Sequence, residues 1–91
     1  MSTRERKLKK AAALRYDPES DLAPRVVASG VNEIAERIVE IAKDQGIPVV
    51  ENPDLVEKLV RLEIYSEIPP ELYQVVAEVL AFVYRLGEYG Q

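Results

Sequence analysis

The stretch "RVVASGVNEIAERIVEIAKDQGIPVVE", residues 25–51, decides the fold. Its middle is an amphipathic helix. Val31, Ile34, Ala35, Ile38, Ile41 and Ala42 recur at three- and four-residue steps and line up on one apolar face. Glu33, Glu36, Arg37, Glu40, Lys43 and Asp44 cover the opposite side. Glu33 and Arg37 stand four apart, a spacing that lets unlike charges meet on a helix. The pairs Glu36/Glu40 and Glu40/Asp44 share this polar side and are solvated rather than gathered into a site. Gly46 ends the helix and Pro48 cannot continue it. Before it, "RVVAS" (25–29) is a short β-branched run between Pro24 and Gly30 and reads as a buried strand. After it, "IPVVE" (47–51) is a second such run. Strand, helix and strand in this order predict one βαβ unit, with parallel strands and a right-handed crossover.

Working outward, "KAAALRY" (10–16) is short, apolar and followed by the turn "DPESD", which favours a strand. "DPESDLAP" (17–24) is a loop with two prolines. A second helix begins at "NPDLVEKLVRLEI", where Asn52 is a favoured N-cap, Pro53 a favoured first residue, and Asp54 complements the helix dipole. Leu55, Val56, Leu59 and Val60 form its inward face, and "YSEI" (65–68) breaks the pattern. The last helix, "PPELYQVVAEVLAFVYRLG", opens at Pro69 and Pro70 and closes at Gly87. Leu72, Val75, Val76, Val79, Leu80, Val83 and Leu86 form a core stripe. Tyr73, Ala77, Phe82 and Tyr84 widen the apolar surface beyond it, which predicts burial on two sides or cover by a partner.

The expected fold is therefore α/β: a small three-layer-like domain with a short mixed sheet of about three strands packed by three helices. It spans residues 10–87, between a basic tail (1–9) and a short C-terminal tail (88–91).

Composition narrows the chemistry. The 91 residues contain neither cysteine nor histidine. Disulfides, thiolate metal sites, and serine–histidine or cysteine–histidine nucleophile pairs are excluded, and so is the usual general base near neutral pH. With four glycines there is no phosphate-binding or dinucleotide-binding loop, and no EF-hand spacing is present. No metal and no cofactor are expected. No apolar run reaches the roughly 20 residues that span a bilayer, and the N-terminus lacks the apolar segment of a secretory signal. A cytoplasmic protein is the expectation. Charge is uneven: residues 1–10 carry five basic residues and one acidic, for +4, whereas residues 11–91 carry seven and fifteen, for −8. An acidic body repels phosphate backbones, so the basic run is expected to be a solvated tail rather than a nucleic-acid arm. Asn52-Pro53 is the one dipeptide with latent reactivity, since an asparagine amide can attack its own carbonyl and cut the chain. Every flanking residue fits a capped helix start instead.

The segments "LRYDPE", "APRVVA", "IPVVENP" and "IPPELYQVVAEVLA" resemble, in order and spacing, the cytoplasmic domain of the FlhB family. These are the substrate-specificity switches of flagellar type III export, with relatives in virulence injectisomes. The resemblance covers about Ala11 to Leu86. It implies a role in binding export substrates or apparatus components at the cytoplasmic face of the export machinery. The self-cleaving Asn-Pro-Thr-His motif of the family would fall on Arg6, Lys7, Leu8 and Lys9, none of which matches. The chain thus resembles a non-cleaving homologue and is expected not to be an enzyme. The family's apolar docking patch maps onto Ala23, Pro24, Ala77 and Leu80, all of the matching type. Ala23 and Pro24 are expected on a loop with little part in the core, and Ala77 and Leu80 on one helix face. Ser29 stands where the family often has lysine. The family's upstream strand is missing, which implies a sheet edge open to transient pairing with another chain.

Overall fold

A computed structural model describes the backbone of residues 9–89 and side chains as far as Leu86. The order is β1 (Lys10–Arg15), β2 (Arg25–Val31), α1 (Glu33–Asp44), α2 (Pro53–Leu59), a 3-10 turn (Pro70–Leu72) and α3 (Tyr73–Tyr89). Strands β1 and β2 pair antiparallel, Lys10 opposite Val31 and Arg15 opposite Arg25, with a bulge between Ala13 and Leu14. The domain is α/β with three helices, as the sequence predicts.

The sheet has helices on both faces. Directly paired residues share a face, so Ala11 and Gly30 point the same way. That way lies α1, because a Cβ on Gly30 would fall 2.1 Å from Ile34 Cγ2. Glycine and alanine let the helix approach closely, and Ala35 is buried at the contact. On the other face, Val26, Leu55, Leu59, Ile68, Leu72 and Val76 form the core, with Ala12 and Leu14 packed against it. Burying each of the larger aliphatic side chains is worth about 1.5–3 kcal/mol.

The expected βαβ unit does not form. Among the described residues the sheet has two strands, antiparallel, and residues 47–51 are in no strand. Local chemistry explains this. Gly46, at φ 71, closes α1, with its N–H donating to Lys43 O and the Ile47 N–H donating to Ala42 O. This double bond to the last turn is a helix-ending motif that needs a left-handed residue, and it draws Ile47 into the cap. Pro48 has no N–H to give a ladder. Ile47 and Val49 remain exposed.

A third ribbon does flank the sheet, but it comes from "YSEI". The Val26 N–H donates to Ser66 O (3.1 Å), the Tyr65 N–H to Val26 O (2.6 Å) and the Ile68 N–H to Pro24 O (2.9 Å). Arg25 and Glu67 form a bridge antiparallel to β2. The break in helical pattern at 65–68 is therefore the place where the chain, having left α2, clasps β2.

The helices carry their expected caps, with small corrections. Asn52 caps α2, its Oδ1 accepting from the Leu55 N–H at 3.1 Å. Val31 ends β2 rather than joining α1, and Asn32 turns the corner at φ 55. Arg37 pairs with Glu40 (3.4 Å) rather than with Glu33. Helix α3 runs through Gly87 to Tyr89 instead of stopping at the glycine. It is not buried on two sides: beyond Leu80, Phe82, Tyr84 and Leu86 are exposed.

Strand β1 is tied to both helical layers at its start. Lys9 pairs with Glu36 on α1, and Lys10 with Glu57 on α2. The hydrogen bond and charge of Lys10 hold the Glu57 carboxyl below the usual carboxylate range. Of the basic tail, residues 1–8 lie outside the described residues.

Candidate docking cavity

The loop of residues 17–24 is wound tightly by its own side chains. Asp17 O accepts from the Ser20 N–H (3.1 Å) and the Asp21 N–H (2.8 Å), and Asp17 Oδ1 accepts from the Glu19 N–H (3.0 Å). Asp21 Oδ2 accepts from the Asp17 N–H at 2.9 Å. The Asp21 side chain is only 5% exposed and lies between the guanidinium groups of Arg15 (3.5 Å) and Arg25 (4.0 Å). Two cations compensate the buried carboxylate, as burial of a charge requires. The loop leaves this turn on a fixed course, and Pro24 O is then held by Ile68.

That course brings the loop against α3. Ala23, Pro24, Ala77 and Leu80, the four residues singled out in the sequence, line one cavity of about 170 Å³. Ile68 and Val76, both core residues, also line it, and Tyr16, Leu22 and Tyr73 complete it. No lining residue is charged. Such a site offers apolar contact and shape, and no acid, base or nucleophile of the usual kinds.

The four residues differ in role. Ala77 is exposed and Leu80 and Pro24 are half-buried, so these are reachable by a partner. Ala23 is 3% exposed, which corrects the expectation that it has little part in the core. It lies between Asp21, which contacts both arginines, and Pro24, whose carbonyl accepts from the Ile68 N–H. Leu22 beside it is 94% exposed. Sequence reasoning missed Tyr16, Leu22, Ile68, Tyr73 and Val76. One signal was available for Tyr73: it precedes Ala77, Leu80 and Tyr84 at helical steps of four, seven and eleven, on one stripe of α3.

A second, wider cleft of about 420 Å³ lies between α2 and α3. It is lined by Asn52, Asp54 and Lys58 on one side and Glu71, Gln74 and Glu78 on the other. Among the described residues no three acidic side chains come together in a way that could hold a metal ion. Among the same residues no helix is long and apolar enough to cross a membrane.

This architecture is that of the cytoplasmic domain of FlhB. It superposes on the crystal structure of the cytoplasmic domain of FlhB from Shewanella putrefaciens with a TM-score of 0.87 and 35% identity, over 90% of this chain and 64% of that one. It matches the C-terminal domain of PscU with a TM-score of 0.77 and 32% identity, over 81% of this chain and 95% of that one. Residues 9–83 match the model of the FlhB HrpN YscU SpaS family, and the chain belongs to that family. Among whole proteins, "Uncharacterized protein YlqH" of Bacillus subtilis is 43% identical over 89% of this chain and 87% of its own length. The flagellar biosynthetic protein FlhB of Aquifex aeolicus is 50% identical over 80% of this chain. The hypersensitivity response secretion protein HrcU of Ralstonia nicotianae is 44% identical over 88% of it. The chain spans about a fifth of the FlhB and HrcU proteins, at 21% and 22% of their lengths.

Proposed function

We propose that this chain is a non-enzymatic binding module of flagellar or related type III protein export. It works in the cytoplasm at the export apparatus. Its cavity between the 17–24 loop and α3 docks an apolar segment of an export substrate or apparatus component. The observation that carries this reading is the convergence of Ala23, Pro24, Ala77 and Leu80 on one uncharged cavity. A second contact is available to a partner. Among the described residues, no backbone hydrogen bond is made by the side of β1 that faces away from β2. An extended segment can pair there by strand addition.

The test is a pull-down of export-apparatus cytoplasmic domains and export substrates from the same bacterium. Ala77→Asp is the informative variant, because Ala77 is exposed and its replacement should leave the circular dichroism spectrum unchanged. Ala23→Asp is unsuitable, since it places a carboxylate at a buried position. Capture by Ala77→Asp should fall at least about tenfold, the effect of a desolvated, unpaired charge at an apolar contact. Undiminished capture would remove the cavity from the docking site.

The module acts without cutting itself. Asn52 uses its side-chain oxygen to cap α2, which gives that residue a structural task. After prolonged incubation at neutral pH, mass spectrometry should show a single species of 10.3 kDa. Two fragments joined in sequence at Asn52-Pro53 would overturn the non-enzymatic reading.

A further inference from the structure

The exposed apolar side chains of this domain are not spread evenly. Val31, Ile34, Ile41, Ile47 and Val49 all fall on α1 or close to its two ends. Ile34, Ile38 and Ile41 follow one another at steps of four and three, so they make a single line along the helix. Ala35 takes the buried position against the sheet, while Ile34 and Ile41 remain 60% and 45% exposed. Arg37 and Asp44 border this line on the side away from Ala35, as a turn of about 100° per residue requires. They stand seven residues apart on one edge of the line, Arg37 in the first half of α1 and Asp44 as its last residue. Asp44 is poorly served by its own chain. An acidic group in the last turn opposes the helix dipole. Glu40, four residues before it, has the same sign. Among the described residues Asp44 forms no salt bridge.

We infer that two copies of this chain pair through α1, with the two helices antiparallel, Ile38 and Ile41 at the centre, and Arg37 of each copy against Asp44 of the other. A two-fold axis across a helix pair reverses direction and brings the same edge of each helix together. The edge carrying Arg37 and Asp44 then meets its own reverse, and the opposite charges face each other twice. A parallel pair would set Arg37 against Arg37 and Asp44 against Asp44, so charge selects the antiparallel arrangement. Asp44 gains the cation that its own chain does not supply. Arg37 gives up little for it, since its pair with Glu40 (3.4 Å) is exposed on both sides. Each copy carries a net −4, which opposes the approach of two acidic bodies, so the pairing depends on these two cross contacts.

The surface is separate from the docking cavity. No residue of α1 lines that cavity, and α1 packs on the face of the sheet opposite the core cluster. The inference therefore stands independently of the docking reading. Sedimentation equilibrium of the purified chain, at concentrations up to about 1 mM, reads it directly. The wild-type chain should pass from monomer to dimer across that range. Arg37→Asp and Asp44→Arg, made singly, each set like charges together and should weaken the dimer at least about tenfold. The double variant restores opposite charges with their places exchanged and should dimerise within about threefold of wild type. Asp44→Arg keeps the fold, because a cation suits the end of a helix, and its circular dichroism spectrum should match wild type. In the pull-down all three variants should capture partners as wild type does, whereas Ala77→Asp should lose capture and keep the dimer. A wild-type chain that stays monomeric throughout overturns the inference, and so does a single variant that dimerises as readily as wild type. A double variant that stays as weak as the single ones overturns the antiparallel pairing of Arg37 with Asp44. None of these outcomes touches the docking reading, which falls only if Ala77→Asp retains capture.

Discussion

Gly30→Ala lowers stability by about 2–3 kcal/mol, measured as a drop in the urea midpoint with the slope unchanged. The added Cβ would lie 2.1 Å from Ile34 Cγ2 and 2.7 Å from Ile34 Cβ. The second distance matters more, because a Cβ is fixed to the backbone and cannot swing away. The helix must lift from the sheet or the strand must bend. Either movement loosens the layer made by Ala11, Gly30 and Ala35. The cause can be isolated. Ile34 is 60% exposed, so Ile34→Ala alone is expected to change stability little. Combined with Gly30→Ala it removes the nearer clash and leaves the farther one, and so recovers part of the loss. Additive effects of the two substitutions would mean that the close approach of α1 to β2 is not the source.

Ile68→Ala is expected to cost about 3 kcal/mol, within the range for truncating a fully buried aliphatic side chain. Ile68 is 2% exposed and belongs to the central core cluster. It also lines the docking cavity and donates its N–H to Pro24 O at 2.9 Å. The truncation therefore has a second readout: the cavity enlarges beneath Ala23 and Pro24, and partner capture weakens in protein that remains folded. Leu59→Ala is the control. Leu59 is equally a core residue but does not line the cavity, so it should lose comparable stability and keep capture at temperatures where it stays folded. Equal capture by both variants would separate the core from the docking surface.

Elements governed by local chemistry were legible in the sequence. The apolar stripe of α1, the Asn52-Pro53 start of α2 and the Gly46 stop all depend on residues within one or two turns. The βαβ expectation failed because β-branched content reports fit to a half-buried surface, not the presence of a partner strand. "IPVVE" has the content without a partner, whereas "YSEI", with Ile68 as its one β-branched residue, finds one. Burial on α1 was legible only in part. All six apolar positions were assigned to one face, but a sheet two strands wide, about 5 Å from strand to strand, cannot cover them, and only Ala35 is fully buried. For the docking cavity, residue types and the resemblance pointed to four positions. Their convergence joins a loop to a helix some fifty residues further on, a long-range contact that local spacing does not reveal.

The clasp of residues 65–68 on β2 also governs alignment. A strand that slips by one residue turns every side chain to the opposite face. For β2 such a slip must break hydrogen bonds on both flanks together, to β1 and to the clasp. For β1 it breaks one flank only, and what opposes it there is the packing of Ala11, Ala12 and Leu14, with the two lysine pairs at its start. The pairing of β1 with β2 is thus locked from the β2 side by chain that lies beyond α2. An error in threading that distant piece would leave both strands free to settle out of step.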